Sequence, residues 1–218
     1  MKYKSNSIQV SCDGGAATGK STGAKMISKK FNLEFLSSGL LYRYASYLLL
    51  KHKPKNETLF LRKKFKKLNY RKLNKINLHS PKISEFSAII AKKKEIRTIL
   101  KKFQINFSIK NKNCCIEGRD ISTKILPNSD IKFFFKCSLK IASIRRYKEL
   151  KKKNSKIKLN DVKKALRTRN NLDTKRKNSP LLKHRDSIEI DTGKLNKQAM
   201  LKKMSLYLEK VIKNKYGK

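Results

Sequence analysis

Residues 13–22 read DGGAATGKST, set between a short apolar run, IQVSC, and an amphipathic stretch, GAKMISKKF. Gly14, Gly19, Lys20 and Ser21 meet the pattern GxxxxGK[ST], which binds phosphate when a strand precedes it and a helix follows. Glycines let a backbone curl with its N–H groups pointing inward. The first turn of the helix adds partial positive charge. On this reading Gly14, Gly15, Ala16, Ala17, Thr18 and Gly19 cradle the phosphates of a nucleotide, and Thr22 lies one step into the helix. Lys20 reaches the outer phosphates, and the Ser21 hydroxyl holds Mg²⁺.

The arginines are the second group that could do chemistry. Of 57 basic residues only 11 are Arg. Lysine serves where charge alone matters, whereas arginine grips a phosphate or carboxylate with a planar fork. Seven arginines fall in compact motifs: Arg43 in SSGLLYR, Arg97 in KKKEIR, Arg119 in EGRD, Arg145 and Arg146 in SIRRYKEL, Arg169 in RTRNNLD and Arg176 in DTKR. Arg62, Arg71, Arg167 and Arg185 read as ordinary surface cations. A protein that only hydrolyses its nucleotide does not need so many forks. Phosphoryl transfer does, because two polyanions must be held together while charge spreads over the transferring group. Asp120 and Asp173 sit among these cations and should stay ionised. Each can accept hydrogen bonds from a base amine or a ribose hydroxyl, or simply orient the arginines.

The elements that would position these groups alternate. Residues 8–12 predict a buried strand, 14–19 a loop, 21–31 a helix, 33–36 a strand and 40–50 an apolar helix. That order belongs to a parallel α/β sheet. The Lys- and Asn-rich stretch 51–80 holds one helical spacing, TLFLRKKFKKL, and reads as part of an inserted lobe. One helix is expected over 83–103, a strand over 113–116, and a central parallel strand over 131–137, dense in Phe and Ile. Helices over 141–153 and 162–169, a strand over 187–190 and a closing helix over 198–213 complete the chain.

The net charge is +42, and hydrophobic residues make up 38% of the 218. Such a charge suggests a nucleic-acid partner. The lysines are spread along the whole chain, however, and the Lys, Asn, Ile and Phe bias reads as compositional drift. RNA-binding platforms interleave aromatics with basic residues, and here Phe133, Phe134 and Phe135 fall in a core-like strand. Cys12, Cys114, Cys115 and Cys137 form no CxxC pair, so they read as small buried residues of a reducing compartment. With no apolar signal region or membrane-length run, a cytoplasmic location is expected.

The motifs GGAATGKST, FLSSGLLYR, HSPKISEF with EIR, EGRDISTKILPNSDIKFFFKCS, RRYKEL, RNNLDTKRKNSPL and IEIDTGKL together resemble bacterial cytidylate (CMP) kinase. Order and spacing match from about residue 8 to the closing helix. The resemblance implies an α/β, P-loop NTPase-type three-layer fold with a parallel central sheet, an inserted NMP-binding lobe and a short lid. It implies a flexible tail over 1–7 and a single kinase domain over 8–218. The core would be 8–36, 111–147 and 176–218, the insert 37–110 and the lid 148–175.

It further implies transfer of the γ-phosphoryl group of ATP, with Mg²⁺, to CMP or dCMP. A monomer without a specific nucleic-acid partner is expected. Arg43, Arg119 and Arg176 would clamp the acceptor phosphate, with Ser38 near it, and Arg97 and Asp120 would read the cytosine. Arg169 and Asp173 would act at the ribose and the transferring phosphate. Arg145 and Arg146 would border the ATP side. The catalytic set is then Lys20, Arg119, Arg169, Asp173 and Arg176. The chain departs from the family's pattern at Gly15 (usually Pro), at Ser37 (usually Asp or Thr), and at Ala88, where a base-reading serine is expected. The normally β-rich part of the insert is replaced by the Lys-rich stretch 51–77. Two other readings remain: a P-loop kinase for another small acceptor, and a basic nucleic-acid-binding protein.

Overall fold

The computed structural model describes residues 7–152 and 155–217. Residues 1–6 of the expected tail and 153–154 of the expected lid lie outside the described residues. The chain divides into two compact units, one from Met1–Phe35 with Lys112–Lys218 and one from Leu36–Asn111.

In chain order the first elements are β1 (Gln9–Gly14), α1 (Lys20–Phe31) and β2 (Glu34–Ser37). The second unit follows with α2 (Ser38–His52), α3 (Glu57–Lys66), a 3₁₀ turn (Tyr70–Lys75), α4 (Pro81–Ile90) and α5 (Lys94–Lys110). The chain then gives β3 (Cys114–Gly118), a single π-helical turn (Ile121–Ile125), β4 (Ile131–Lys136) and α6 (Leu139–Lys151). It closes with α7 (Leu159–Lys175), β5 (Ile188–Asp191) and α8 (Lys197–Tyr216).

The five strands run in the order β2-β3-β1-β4-β5, and β1 pairs in parallel with both β3 and β4. Consecutive parallel strands need a crossover, which the intervening helices supply. Val10, Cys12, Cys115, Phe133, Phe135 and Ile190 pack against Ala24 and Ile27 of α1 and Met204 and Leu208 of α8 in one cluster. Internal strands of a parallel sheet are apolar along their length, which is why the run 131–137 was readable. A smaller cluster gathers Ala16, Ala142, Val162 and Leu166 where α6 meets α7.

The register fixes what meets what at the carboxyl ends of the strands. Cys12 lies beside Glu117 and Asp13 beside Gly118, while Gly14 lies beside Phe135. The loop after β1 and the EGRD segment after β3 are therefore neighbours. Ligands of open α/β sheets bind at such strand ends.

In the second unit α2 packs on α4 and α3 on α5, around buried Leu61, Phe65, Leu78, Ile90, Ile96 and Leu100. The single helix expected over 83–103 is two helices. Ser80 caps α4 by accepting from Ile83 N, with Pro81 in the first turn, and the helix ends at Ala91. The carbonyl left open there accepts from Arg97 Nη1 at 3.2 Å, while Glu95 in the first turn of α5 complements that helix's dipole. The apolar spacing runs on across the break, so periodicity alone did not reveal it. Helix α7, expected over 162–169, begins earlier and runs on to Lys175.

Candidate active site

The glycine-rich loop joins β1 to α1, as the pattern requires. Gly19 takes the left-handed region (φ 82°) and caps α1, and Ala17 also has positive φ (58°). Thr18 Oγ1 donates to Gly15 O at 3.0 Å. Thr192, just past β5, donates through Oγ1 to Thr18 O at 2.8 Å. Arg145 in turn donates to Thr192 Oγ1 at 2.9 Å and to Thr192 O at 2.7 Å. Arg145 thus braces the loop through one threonine. Arg146 instead pairs with Glu149 on its own helix at 3.0 Å. The amide of Ala16 donates to Asn170 Oδ1 of α7 at 3.0 Å, so a neutral carboxamide oxygen occupies one backbone donor of the glycine-rich loop.

Lys20 is the first residue of α1, buried, with Nζ 3.4 Å from Glu117 Oε2. Burial pushes the Lys20 ammonium down to about 8; Arg119 and Arg169 act the same way and Glu117 opposes them. The next residue, Ser21, is partly exposed and Thr22 is exposed. The Ser21 hydroxyl and the Glu117 carboxylate are hard oxygen donors, the chemistry Mg²⁺ prefers.

The EGRD segment is fixed from beneath. Buried Asp13 accepts from Ile121 N at 2.8 Å, from Ser122 N at 2.7 Å and from Ser122 Oγ at 2.6 Å. These bonds tie the π-helical turn to the end of β1 and so set Arg119 and Asp120. Burial pushes the Asp13 carboxyl up to about 6 despite its three donors.

Around Asp173 the arginines converge. Arg119 Nε donates to Asp173 Oδ2 at 2.8 Å. Arg176 Nη1 lies 3.6 Å from Asp173 Oδ1, and its Nη2 lies 3.7 Å from Asp120 Oδ1. Burial alone would raise the Asp173 carboxyl; Arg119, Arg169 and Arg176 outweigh it and hold it below the ordinary carboxylate range. Arg176 is itself steered by Ser179 O, which accepts from its Nε.

The remaining expected residues belong to the second unit. Ser38 is buried at the start of α2. Arg43 Nη1 donates to Ser84 Oγ at 2.6 Å and to Leu78 O at 3.1 Å. Arg97 is buried, with its guanidinium 5.7 Å from the Tyr42 ring centre. Ser87, beside Ala88, donates to Ser84 O at 2.7 Å.

Four residues escaped the sequence reading: Asp13, Glu117, Asn170 and Thr192. Asp13 and Glu117 carried a signal, each being an acid closing a run of apolar strand residues at what had to be a carboxyl end. Asn170 and Thr192 carried none, because only the packing of α7 and the end of β5 brings them to the loop.

The family model described as cytidylate kinase matches residues 10–210. The chain is 33% identical to a cytidylate kinase of Clostridium tetani over 222 residues, covering 97% of this chain and 98% of that one. It is 34% identical to a cytidylate kinase of Fusobacterium nucleatum, covering 94% and 99%. Among solved structures, an uncharacterized protein of Eubacterium ventriosum superimposes with a TM-score of 0.56 at 15% identity, covering 94% of this chain and 99% of that one. A protein of Thermus thermophilus does so with a TM-score of 0.52 at 13% identity, covering 94% and 98%. The solved structures share its fold; on the family model and the two cytidylate kinases, the chain belongs to the cytidylate kinase family.

Proposed function

We propose that the protein transfers the γ-phosphoryl group of ATP to CMP or dCMP, giving CDP or dCDP and ADP. The carrying observation is the convergence of Arg119 and Arg176 on Asp173, on the unit that also holds the glycine-rich loop and with Arg119 and Arg169 acting electrostatically on Lys20. A kinase of this kind needs two phosphate sites facing each other, one for the donor and one for the acceptor.

In this reading the loop amides and Lys20 bind the donor phosphates, and Asn170 gives up the Ala16 amide. Arg119 and Arg176 turn from Asp173 and Asp120 toward the acceptor phosphate, and the two carboxylates hold them in position until then. Arg169 and Asp173 serve the ribose and the transferring group. Ser38, Arg43 and Arg97 bind the acceptor nucleotide, Arg97 and Asp120 through its base. Ser21 would hold Mg²⁺, with Glu117 at hand; the ion would supply charge neutralisation on the phosphoryl oxygens. Lys20, Arg119, Arg169, Asp173 and Arg176 are the proposed catalytic set. The enzyme acts as a monomer in the cytoplasm.

A nucleotide panel tests this. With ATP and Mg²⁺, CMP and dCMP should turn over far faster than AMP, GMP or UMP. A paired polar readout rejects a base that cannot match it. UMP turned over as fast as CMP would overturn the base assignment. Turnover of no nucleoside monophosphate would return the chain to a kinase for another small acceptor.

A further inference from the structure

Within the second unit, α3, the 3₁₀ turn and α5 enclose a cavity of about 920 Å³ that none of the residues assigned to phosphoryl transfer lines. Its floor is aromatic. Tyr70 and Phe103 are half-buried, and each is held edge-on by a buried neighbour: Phe65 meets Phe103 at 5.8 Å and Phe107 meets Tyr70 at 4.9 Å between ring centres. Such edge-to-face pairs leave a ring fixed in orientation. The rim is cationic, formed by Arg62, Lys66, Lys102 and Lys110, and among the described residues no acidic one lines the cavity.

Helical spacing produces this alternation. On α3, Arg62, Phe65 and Lys66 share a face at i, i+3 and i+4. On α5, Phe103, Asn106 and Lys110 share another, with Lys102 at its edge. The whole unit carries twenty Lys and Arg against only Glu57, Glu85 and Glu95, and Glu57 is taken up by Lys93 at 2.6 Å. Phe103, and Tyr70 with the Arg71 guanidinium 5.7 Å from its ring centre, set fixed aromatic rings among cations, which is what a single strand of nucleic acid needs. Bases stack on the rings without regard to sequence, and phosphates sit on the charges. The Phe run of β4 offers no such platform, because Phe133 and Phe135 are core residues of the sheet. Folding builds one in the Lys-rich insert instead.

We propose that this groove binds short single-stranded nucleic acid, with bases against Tyr70 and Phe103 and phosphates against Arg62, Lys66, Lys102 and Lys110. The site is separate from the kinase residues and goes beyond the kinase reading.

The test must separate stacking from the attraction any protein of charge +42 exerts on a polyanion. Fluorescence anisotropy with a labelled oligouridylate of about 12 nucleotides, at about 0.15 M salt, reads the affinity. The Y70L/F103L variant keeps the charge and much of the volume. It should bind roughly tenfold more weakly, with kinase turnover close to that of the parent and a melting temperature lowered by a few degrees through the two lost ring pairs. K66Q/K102Q should weaken binding more than K202Q/K210Q, a pair of equal charge on the exposed face of α8. A duplex of the same length should bind more weakly than the single strand, and CMP should not displace it.

Unchanged affinity in Y70L/F103L would overturn the proposal, as would equal binding of the duplex or displacement by CMP. Should Y70L/F103L fail to fold, the two lysine pairs decide, and equal losses would leave only diffuse electrostatics.

Discussion

The ammonium of Lys20 and the carboxylate of Glu117 lie 3.4 Å apart, both almost wholly removed from solvent. The register of β1 on β3 brings the two groups to one end of the sheet, since Cys12 and Glu117 are aligned and Lys20 opens the helix that follows β1. A lysine held near 8 by burial and by Arg119 is poised to gain a proton when phosphate arrives.

Nucleotide binding should therefore take up protons. Phosphate favours the charged ammonium and pushes its pKa up. Above about pH 8 the free protein holds Lys20 partly neutral, so ATP binding should draw in up to one proton and weaken as pH rises. Calorimetry at about pH 8.5 in two buffers of different ionisation enthalpy measures this uptake, which Lys20→Met should abolish. Glu117 raises the lysine, so Glu117→Gln should move the uptake window to lower pH. The stability linkage has its own sign. The folded pKa lies below the unfolded value of 10.5, so between about 8 and 10.5 the unfolded chain binds more protons and this group's contribution to stability rises with pH.

Asn170 should compete with phosphate. Its Oδ1 accepts from the Ala16 amide at 3.0 Å, a bond that any phosphate oxygen in the cradle must replace. A neutral hydrogen bond contributes about 1 kcal/mol, so Asn170→Ala should tighten ATP binding up to roughly fivefold. Equilibrium titration with a fluorescent ATP analogue measures it. Weaker binding in Asn170→Ala would instead assign Asn170 to the bound state.

Asp173 should matter to stability as well as to turnover. Asp173→Asn leaves Arg119, Arg169 and Arg176 without their shared anion, and breaking a buried ion pair from one side costs about 3 kcal/mol. For a chain of this size that lowers Tm by roughly 10 °C at neutral pH. The folded pKa is depressed, so the stabilisation is present above the unfolded value near 3.8 and is lost as pH falls through the folded one. Thermal melts of parent and variant should therefore converge in strong acid.

Much of this was legible beforehand, and the boundary is physical. The loop, the strands and the arginine motifs are local patterns, readable from periodicity and side-chain chemistry. The gathering of Arg119 and Arg176 on Asp173 was inferable only because the carboxylates sat among cations in sequence. The break at Ala91 was hidden, since apolar spacing continues through it and the Arg97 bond that stabilises it is a tertiary choice. The groove of Tyr70 and Phe103 was hidden for the same reason. Those rings are 33 residues apart in sequence and meet one surface only when the 3₁₀ turn packs on α5. Thr192 reached the loop through the parallel pairing of β4 and β5.

Gly23 tests whether the packing that sets Lys20 is rigid. In an exposed helix Gly→Ala gains about 1 kcal/mol from propensity. Here an added methyl would lie 2.7 Å from a ring carbon of Phe135 and 3.2 Å from the Met204 sulfur. Phe135 is 1% exposed in the centre of the sheet core, so its ring has nowhere to go. Overpacking of this kind costs about 1–3 kcal/mol, which outweighs the propensity gain. Gly23→Ala should lower the melting temperature, and the further Phe135→Leu change should recover part of the loss by opening room for the methyl. Since α1 carries Lys20 at its first turn, displacement of the helix should also raise KM for ATP in the single variant, and a melt and a titration on the same two proteins measure both effects. A single variant as stable as the parent, with unchanged KM, would mean that α1 shifts freely on β4 and that the lysine is set by the loop alone.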